Sequence, residues 1–554
     1  MQVASDSGSD SDRLLIDCDT GSSSENENLI LASDDSRDSS SDDGIAMGSD
    51  DSASLQGSDD SVSLQGSSSD GGIVEEAGGG GSEEEGGEPR GHKRPRAKAP
   101  DTPQRDKRPR AGLPQCQSLY ECFEWPTQAL RIALDSGIDI YGRLGRFQWK
   151  FSSHFSGLGS VELALQMLRV AFSAPARGEL QVEVVSACEN SPLLRRRILS
   201  QRFSGCIFKT IEGHLTSIDL SGLGPNADGL GPNAGTCAEA IGKAKLAPTC
   251  ACSRHGECKP QAVHIDVSGS PCRPWSVQTR GPKGFAHKDG RLLIAWCAVV
   301  RASHIPIAIH ENVKGFEEST LRELLGDRYD ITALHAEPSQ VGFSFLRRPR
   351  WYHVVCLRDC VATPSLAETY ARLTAGLQRS YSPSWHSLVF QASDEELLEE
   401  ENRTRKQRRM ERVAVASTDW RYLLTPDQRG YVDSYIKMVS DRGGDPAESD
   451  PNLVFDLSVA PSYRGPLSFG GLPTLRCNST RMWSPSRRRW LLPAELAAAM
   501  GFPVRADLAT AARVPVDVLT PTCPRNLGNA MHVGNVGLVL LAVMLSVEWA
   551  TTTS

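Results

Sequence analysis

Ala262-Val263-His264-Ile265-Asp266-Val267-Ser268-Gly269-Ser270-Pro271-Cys272-Arg273-Pro274-Trp275-Ser276 is an apolar run that breaks abruptly at Gly-Ser-Pro-Cys. Such a run suits a buried strand of a parallel sheet, and open α/β sheets keep their ligands at the carboxyl ends of their strands. A cysteine placed there has a nucleophile's address. The alternative, a buried structural thiol, is the commoner fate of this residue type. The segment around residue 311 weighs against it: Ile305-Pro306-Ile307-Ala308-Ile309-His310-Glu311-Asn312-Val313 is a second apolar strand, and it ends in a carboxylate. Two adjacent parallel strands would bring Cys272 and Glu311 into one crevice, a thiol beside an acid.

Upstream, Phe147-Gln148-Trp149-Lys150-Phe151 runs as a strand into Ser153-His154-Phe155-Ser156-Gly157-Leu158-Gly159-Ser160 and then an apolar-periodic helix. Strand, Gly-x-Gly turn and helix form a nucleotide-binding opening, because glycine lets a ligand approach the backbone at the helix N-terminus. The next strand, Val182-Glu183-Val184-Val185-Ser186-Ala187-Cys188, leads to Glu189. A carboxylate at that place in a Rossmann-like sheet accepts ribose hydroxyls, and a helix-capping glutamate is the alternative. A third strand lies around 205–208, before Lys209-Thr210-Ile211. Downstream of Cys272, Asp289-Gly290-Arg291-Leu292-Leu293 opens a helix. A helix over 317–325 and a strand over 329–334 then lead to the basic run Arg347-Arg348-Pro349-Arg350 and another apolar strand.

Taken in order, these stretches resemble the DNA (cytosine-5) methyltransferases. Phe155-Ser156-Gly157-Leu158-Gly159 is similar to that family's first motif, Pro271-Cys272 to its fourth, Asp289-Gly290-Arg291-Leu292-Leu293 to its fifth and Glu311-Asn312-Val313 to its sixth. Arg348 and Arg350 match the two arginines of the eighth motif. Arg489, a helix and Gly501-Phe502-Pro503 match the ninth, and Gly528-Asn529-Ala530 the tenth. The resemblance spans about residues 147–554. It departs from the pattern at His154, where Asp is usual, at Ser160 for a glycine, and at His532 for a proline. The third strand lacks the family's adenine-binding Asp, and the eighth motif lacks its Gln.

The resemblance implies an α/β fold, a Rossmann-like S-adenosylmethionine-dependent methyltransferase sheet with an inserted target-recognition region. It implies S-adenosyl-L-methionine as cofactor, held by Phe155, Gly157, Gly159, Glu189, Pro271, Leu292 and Asn529. Cys272 would be the nucleophile toward carbon 6 of cytosine and Glu311 the donor to ring nitrogen 3. Arg348 and Arg350 would hold the base oxygen and phosphate. A helix opened by Pro274 and Ser276 would favour the Cys272 thiolate. The implied partner is double-stranded DNA with the target base flipped out of the stack. The tRNA branch of the family carries Cys-Phe-Thr where this chain has Cys272-Arg273-Pro274. An RNA substrate, or a DNA-binding member with weak catalysis, are the alternatives.

Composition agrees with a chain that meets phosphate. The 554 residues suffice for two or three folded units. Residues 1–91 hold 23 acidic and 3 basic side chains, a balance of −20 against −8 for the whole, so the remainder carries +12. Fifteen cysteines are too sparse for a disulfide scaffold, and a reducing compartment is expected. The acidic start MQVASDSGSDSD gives no secretory signal, and the longest apolar stretch, 536–547, is too short to span a bilayer.

The expected organisation follows. Residues 1–91 form a disordered acidic tail whose serines could accept phosphate. Residues 92–112 form a basic linker in which Lys93-Arg94-Pro95-Arg96 and Lys107-Arg108-Pro109-Arg110 have the form of a bipartite nuclear localisation signal, so an import receptor and the nucleus are expected. A phosphate-gripping arm is the alternative. The catalytic domain runs over 113–360 with an insertion at 214–261, and resumes over 486–554 around a target-recognition region at 361–485. In that region a helix over 394–412 is expected to be solvated, with Glu399 and Arg403 paired, and 463–489 is rich in Gly, Pro, Ser and Arg around Trp483. The insertion carries a tandem Leu-Gly-Pro-Asn-Ala at 223–227 and 230–234, then Cys237, Cys250, Cys252, His255 and Cys258. These thiols could hold a structural zinc, but their spacing fits no familiar finger class, so free cysteines and no metal are expected.

Overall fold

The computed structural model describes residues 114–550 apart from 146, 174–177, 201–204, 219–233, 277–282, 382–384, 442, 444–449, 463–470, 478–480 and 518–525. The acidic tail, the basic linker and all but the last residue of the tandem repeat lie outside the described residues. The apolar runs become strands because their side chains are buried on both faces of a sheet that helices cover on each side. In chain order they are β1 (Trp149–His154), β2 (Val182–Cys188), β3 (Cys206–Phe208), β4 (Leu215–Ser217), β5 (Lys245–Leu246), β6 (Cys250–Cys252), β7 (Gly256–Cys258), β8 (Ile265–Ser268), β9 (Ile307–Val313), β10 (Tyr329–Ala336) and β11 (Arg350–Leu357).

Nine of these make one sheet in the order β10-β11-β9-β8-β1-β2-β3-β6-β7, while β4 pairs with β5. Strands β9, β8, β1, β2 and β3 run parallel. Strand β11 lies antiparallel between β9 and β10, and the β6–β7 hairpin extends the β3 edge. The expected α/β, Rossmann-like sheet is therefore the fold observed. Strand order reverses between β1 and β8, which makes the crevice beyond their carboxyl ends the topological switch point of the sheet. The Gly-x-Gly turn after β1 and the turn carrying Cys272 after β8 both open there.

Alternate residues of the central strands feed two cores: Ile307 and Ile309 join one, Ala308 the other. Helix Val533–Ser546 is apolar all round and wholly buried, so the longest apolar stretch is a core helix. It packs on helix Ser160–Phe172, so segments far apart in sequence meet in one core. Gly537 makes room for helix Trp125–Asp135 as well, since a Cβ there would stand 2.1 Å from Cη2 of Trp125 and 3.2 Å from Cβ of Ala164. No described helix is long and apolar enough to cross a membrane.

The region expected over 361–485 divides in two. Helix Leu366–Leu377 packs on Trp125–Asp135 and Val533–Ser546, within the main core. A separate smaller core gathers Trp420, Tyr435, Phe455, Trp483 and Trp490 around a three-stranded sheet of Phe455–Asp456, Met482–Ser484 and Arg489–Trp490. Helix Asp394–Gln407 corrects the expectation of a solvated face. Glu401 is fully buried and accepts from Ser417 N–H at 2.6 Å and Arg405 Nε at 3.0 Å. Arg403 pairs with Glu400 rather than Glu399, because Glu400 turns inward to accept from Trp490 Nε1 at 3.3 Å. Several arginines of 463–489 are likewise engaged inside the protein: Arg476 pairs with Asp456 at 2.5 Å, and Arg489 grips both oxygens of Glu495 at 2.8 Å.

Candidate active site

Strand β8 ends at Ser268 and the chain turns at Gly269, where an added side chain would have to displace the Met531 methyl. A Cβ there would lie 2.8 Å from Met531 Cε and 3.5 Å from Glu311 Oε2. The next residue is held from β9: Ser270 Oγ lies 2.8 Å from His310 Nε2, and Asn312 Nδ2 donates to Ser270 Oγ at 3.3 Å. Burial pulls the His310 pKa well below its ordinary value, so the ring stays neutral. His310 and Asn312 thus pin the residue two positions before Cys272 to the strand that carries Glu311. Sequence reading missed both roles, although each residue flanks Glu311 directly.

Cys272 itself is half-buried. Residues 273–275 form a turn, closed by Trp275 N–H donating to Cys272 O at 3.0 Å, and the body of the helix expected from Pro274 and Ser276 falls on 277–282, outside the described residues. Burial raises its pKa, Arg350 opposes the rise, Glu311 adds to it, and Arg348 opposes more weakly. Arg350 Nε stands 3.0 Å from Glu311 Oε1. That ion pair lacks hydrogen-bond alignment, so the buried Oε1 has no donor among the described residues.

Arg348, expected beside Arg350 on the substrate, is committed elsewhere. It is 2% exposed and donates to Leu475 O at 3.1 Å, Gly528 O at 2.9 Å and Ala530 O at 2.6 Å. Its geometry makes it a positioning residue for the loop that carries Asn529 and Met531. Asn529 is exposed at the tip of that loop.

At the other side of the switch point, Phe155, Gly157 and Gly159 all have left-handed backbone, with φ of 56°, 56° and 80°. Helix Ser160–Phe172 starts at Gly159 with no side-chain cap, leaving its first N–H groups open to an anionic group. Glu189 is buried, and it accepts from Gly157 N–H and Ser191 N–H, each at 2.9 Å. Pro271 and Leu292 are half-buried. Left-handed glycines, an uncapped helix start and a buried carboxylate are a donor and acceptor set that fits an amino-acid-bearing nucleoside such as S-adenosylmethionine. On the third strand Lys209 and Thr210 follow Phe208, and the next carboxylate in the chain is Glu212.

Three of the departures from the family pattern, His154, Ser160 and His532, have a local use. His154 Nδ1 lies 2.6 Å from Asp266 Oδ1, and Asp266 also accepts from Ser152 Oγ at 2.5 Å and Trp296 Nε1 at 2.7 Å. Burial alone would raise the Asp266 pKa; His154 and these hydrogen bonds hold it below the ordinary value. Ser160 Oγ donates to Met531 O at 2.9 Å, tying the first helix to the last loop. His532 caps the C-terminal helix, its Nδ1 accepting from Asn535 N–H at 3.2 Å, and burial keeps it neutral with a pKa of about 3.

No protein-family model and no curated protein matches the chain. The structure is similar to a protein described as a DNA modification methyltransferase encoded within an E. coli prophage, at 14% identity and a TM-score of 0.38, covering 71% of this chain and 98% of that one. It is also similar to the Dnmt2 methyltransferase of S. pombe, at 13% identity and 0.34, covering 72% and 98%. A third is the Entamoeba histolytica methyltransferase EhMeth, at 11% and 0.34, covering 72% and 98%. The likeness is one of fold.

Proposed function

We propose that this chain is a DNA (cytosine-5) methyltransferase that uses S-adenosylmethionine and a covalent Cys272 intermediate. The observation that carries the proposal is the convergence of Cys272, Glu311 and Arg350 at the switch point, on a turn that His310 and Asn312 fix. Carbon 5 of cytosine is too weak a nucleophile to take a methyl group unaided. Addition of the Cys272 thiolate to carbon 6, with Glu311 as the proton donor to ring nitrogen 3, makes the ring enamine-like and electron-rich at carbon 5. S-adenosylmethionine, held by Phe155, Gly157, Gly159 and Glu189, supplies an electrophilic methyl group. Carbon 5 takes that methyl group, solvent water then accepts the carbon 5 proton, ring nitrogen 3 returns its proton to Glu311, and the Cys272 sulfur leaves as thiolate to restore the ring. Arg350 keeps Glu311 oriented and offsets part of the burial penalty on the thiolate.

Burial raises the Cys272 pKa, so the reactive thiolate is a minority at neutral pH. The expected kcat/KM therefore climbs with pH through neutrality and beyond the ordinary thiol range. Arg350 is the strongest influence lowering that pKa, so Arg350→Ala should move the ascending limb to higher pH. A limb that stays in place or moves down would contradict the proposed coupling.

Cys272-Arg273-Pro274, unlike the tRNA branch's Cys-Phe-Thr, favours DNA over RNA. The separate core around Trp420 and Trp490 is the proposed target-recognition region. Purified chain with labelled S-adenosylmethionine should methylate unmethylated duplex DNA. Label in tRNA alone would replace the substrate, and label in neither would reject the activity. The two basic clusters of the linker motivate the further proposal of nuclear residence. A tagged chain with both basic clusters neutralised should lose nuclear accumulation, and its retention would reject that role.

A further inference from the structure

Four potential metal ligands from separate parts of the chain meet where the inserted hairpin joins the sheet. Strand β6 pairs with β7, and Cys252 of β6 pairs with Phe208 of β3. This brings Sγ of Cys206, Cys252 and Cys258 together with His255, and the four ligand atoms all lie within 4.8 Å of one another. His255 Nδ1 stands 3.8 Å from Cys206 Sγ, 3.9 Å from Cys252 Sγ and 3.3 Å from Cys258 Sγ. Zinc with Zn–S of about 2.3 Å and Zn–N of about 2.0–2.1 Å in tetrahedral geometry places neighbouring sulfur and nitrogen about 3.6 Å apart. The observed separations straddle that value.

The backbone is shaped for the same purpose. Gly256 adopts φ of 78° to turn the hairpin between His255 and Cys258, and Arg254 N–H donates to Cys252 Sγ at 3.4 Å. The hairpin needs such a fastening: β6 and β7 are three residues each, and β7 has no fully buried side chain. Two strands this short cannot stabilise themselves by packing alone.

We propose that Cys206, Cys252, His255 and Cys258 bind one structural zinc ion that staples the inserted hairpin to β3. Four protein ligands close the coordination sphere, so the ion has no open position for catalysis. Cys237 and Cys250, which sequence spacing grouped with Cys252 and Cys258, take no part: neither belongs to the four residues whose ligand atoms gather within 4.8 Å of one another. Cys206 is the ligand that spacing alone conceals, 49 residues before His255.

The full chain, purified without chelators, should contain about one zinc per chain by elemental mass spectrometry. Its cobalt-substituted form should show thiolate-to-cobalt charge transfer and tetrahedral ligand-field bands. Cys206→Ser and Cys258→Ser should each lose most of the metal, whereas Cys237→Ala and Cys250→Ser should keep it. His255→Cys, which preserves four soft ligands, should also keep it, so misfolding of a serine variant does not blur the outcome. Folded wild-type protein that holds less than about 0.2 zinc per chain after dialysis against the metal would overturn the proposal. So would zinc retained in Cys206→Ser but lost in Cys250→Ser.

Discussion

Cys272→Ser is expected to lower methyl transfer to cytosine by about 10,000-fold or more, the scale on which loss of a covalent nucleophile is felt. A serine hydroxyl has a far smaller anionic fraction at neutral pH than a thiol, even one whose pKa burial has raised. The substitution is nearly isosteric, and the turn after Cys272 is closed by its backbone oxygen rather than its sulfur, so the fold should be unaffected. Single-turnover rates under saturating DNA and cofactor, with circular dichroism as a control, check this. A loss of less than about 10-fold in a folded variant would remove Cys272 from the chemistry.

Glu311→Gln is expected to slow the same step by roughly 100-fold or more, the usual scale of general acid catalysis. The amide keeps the shape and some hydrogen-bonding capacity of the side chain but has no proton to give ring nitrogen 3. It also leaves Arg350 without its carboxylate at 3.0 Å. The signature is a fall in kcat with DNA affinity little changed, since the lost interaction forms as charge develops on the ring. Weakened binding with an unchanged rate constant would make Glu311 a substrate-positioning group only.

The sheet and the central pair of the site were legible because both are written in local sequence. β-branched and apolar runs ending at Gly269 and Asn312 mark central strands, and a parallel sheet puts their carboxyl ends in one crevice. Features that depend on distant partners were not legible. The basic run around Arg348 shows two arginines alike, yet one is spent on carbonyls of residues 475, 528 and 530 while the other faces Glu311. Glu399 and Arg403 have ideal spacing, and burial of the neighbouring face diverts the arginine to Glu400. His154, Ser160 and His532 look like losses until Asp266, Met531 and Asn535 are seen beside them.

A 5-fluorocytosine-containing DNA duplex tests the covalent mechanism most directly. Thiol addition and methyl transfer proceed on it, but fluorine cannot leave as a cation, so Cys272 remains bonded to carbon 6. The expected product is a protein–DNA adduct that survives denaturing electrophoresis, requires S-adenosylmethionine and maps to the peptide containing Pro271-Cys272-Arg273. An enzyme that methylates ordinary cytosine, yet forms the adduct equally well as Cys272→Ser, would contradict it.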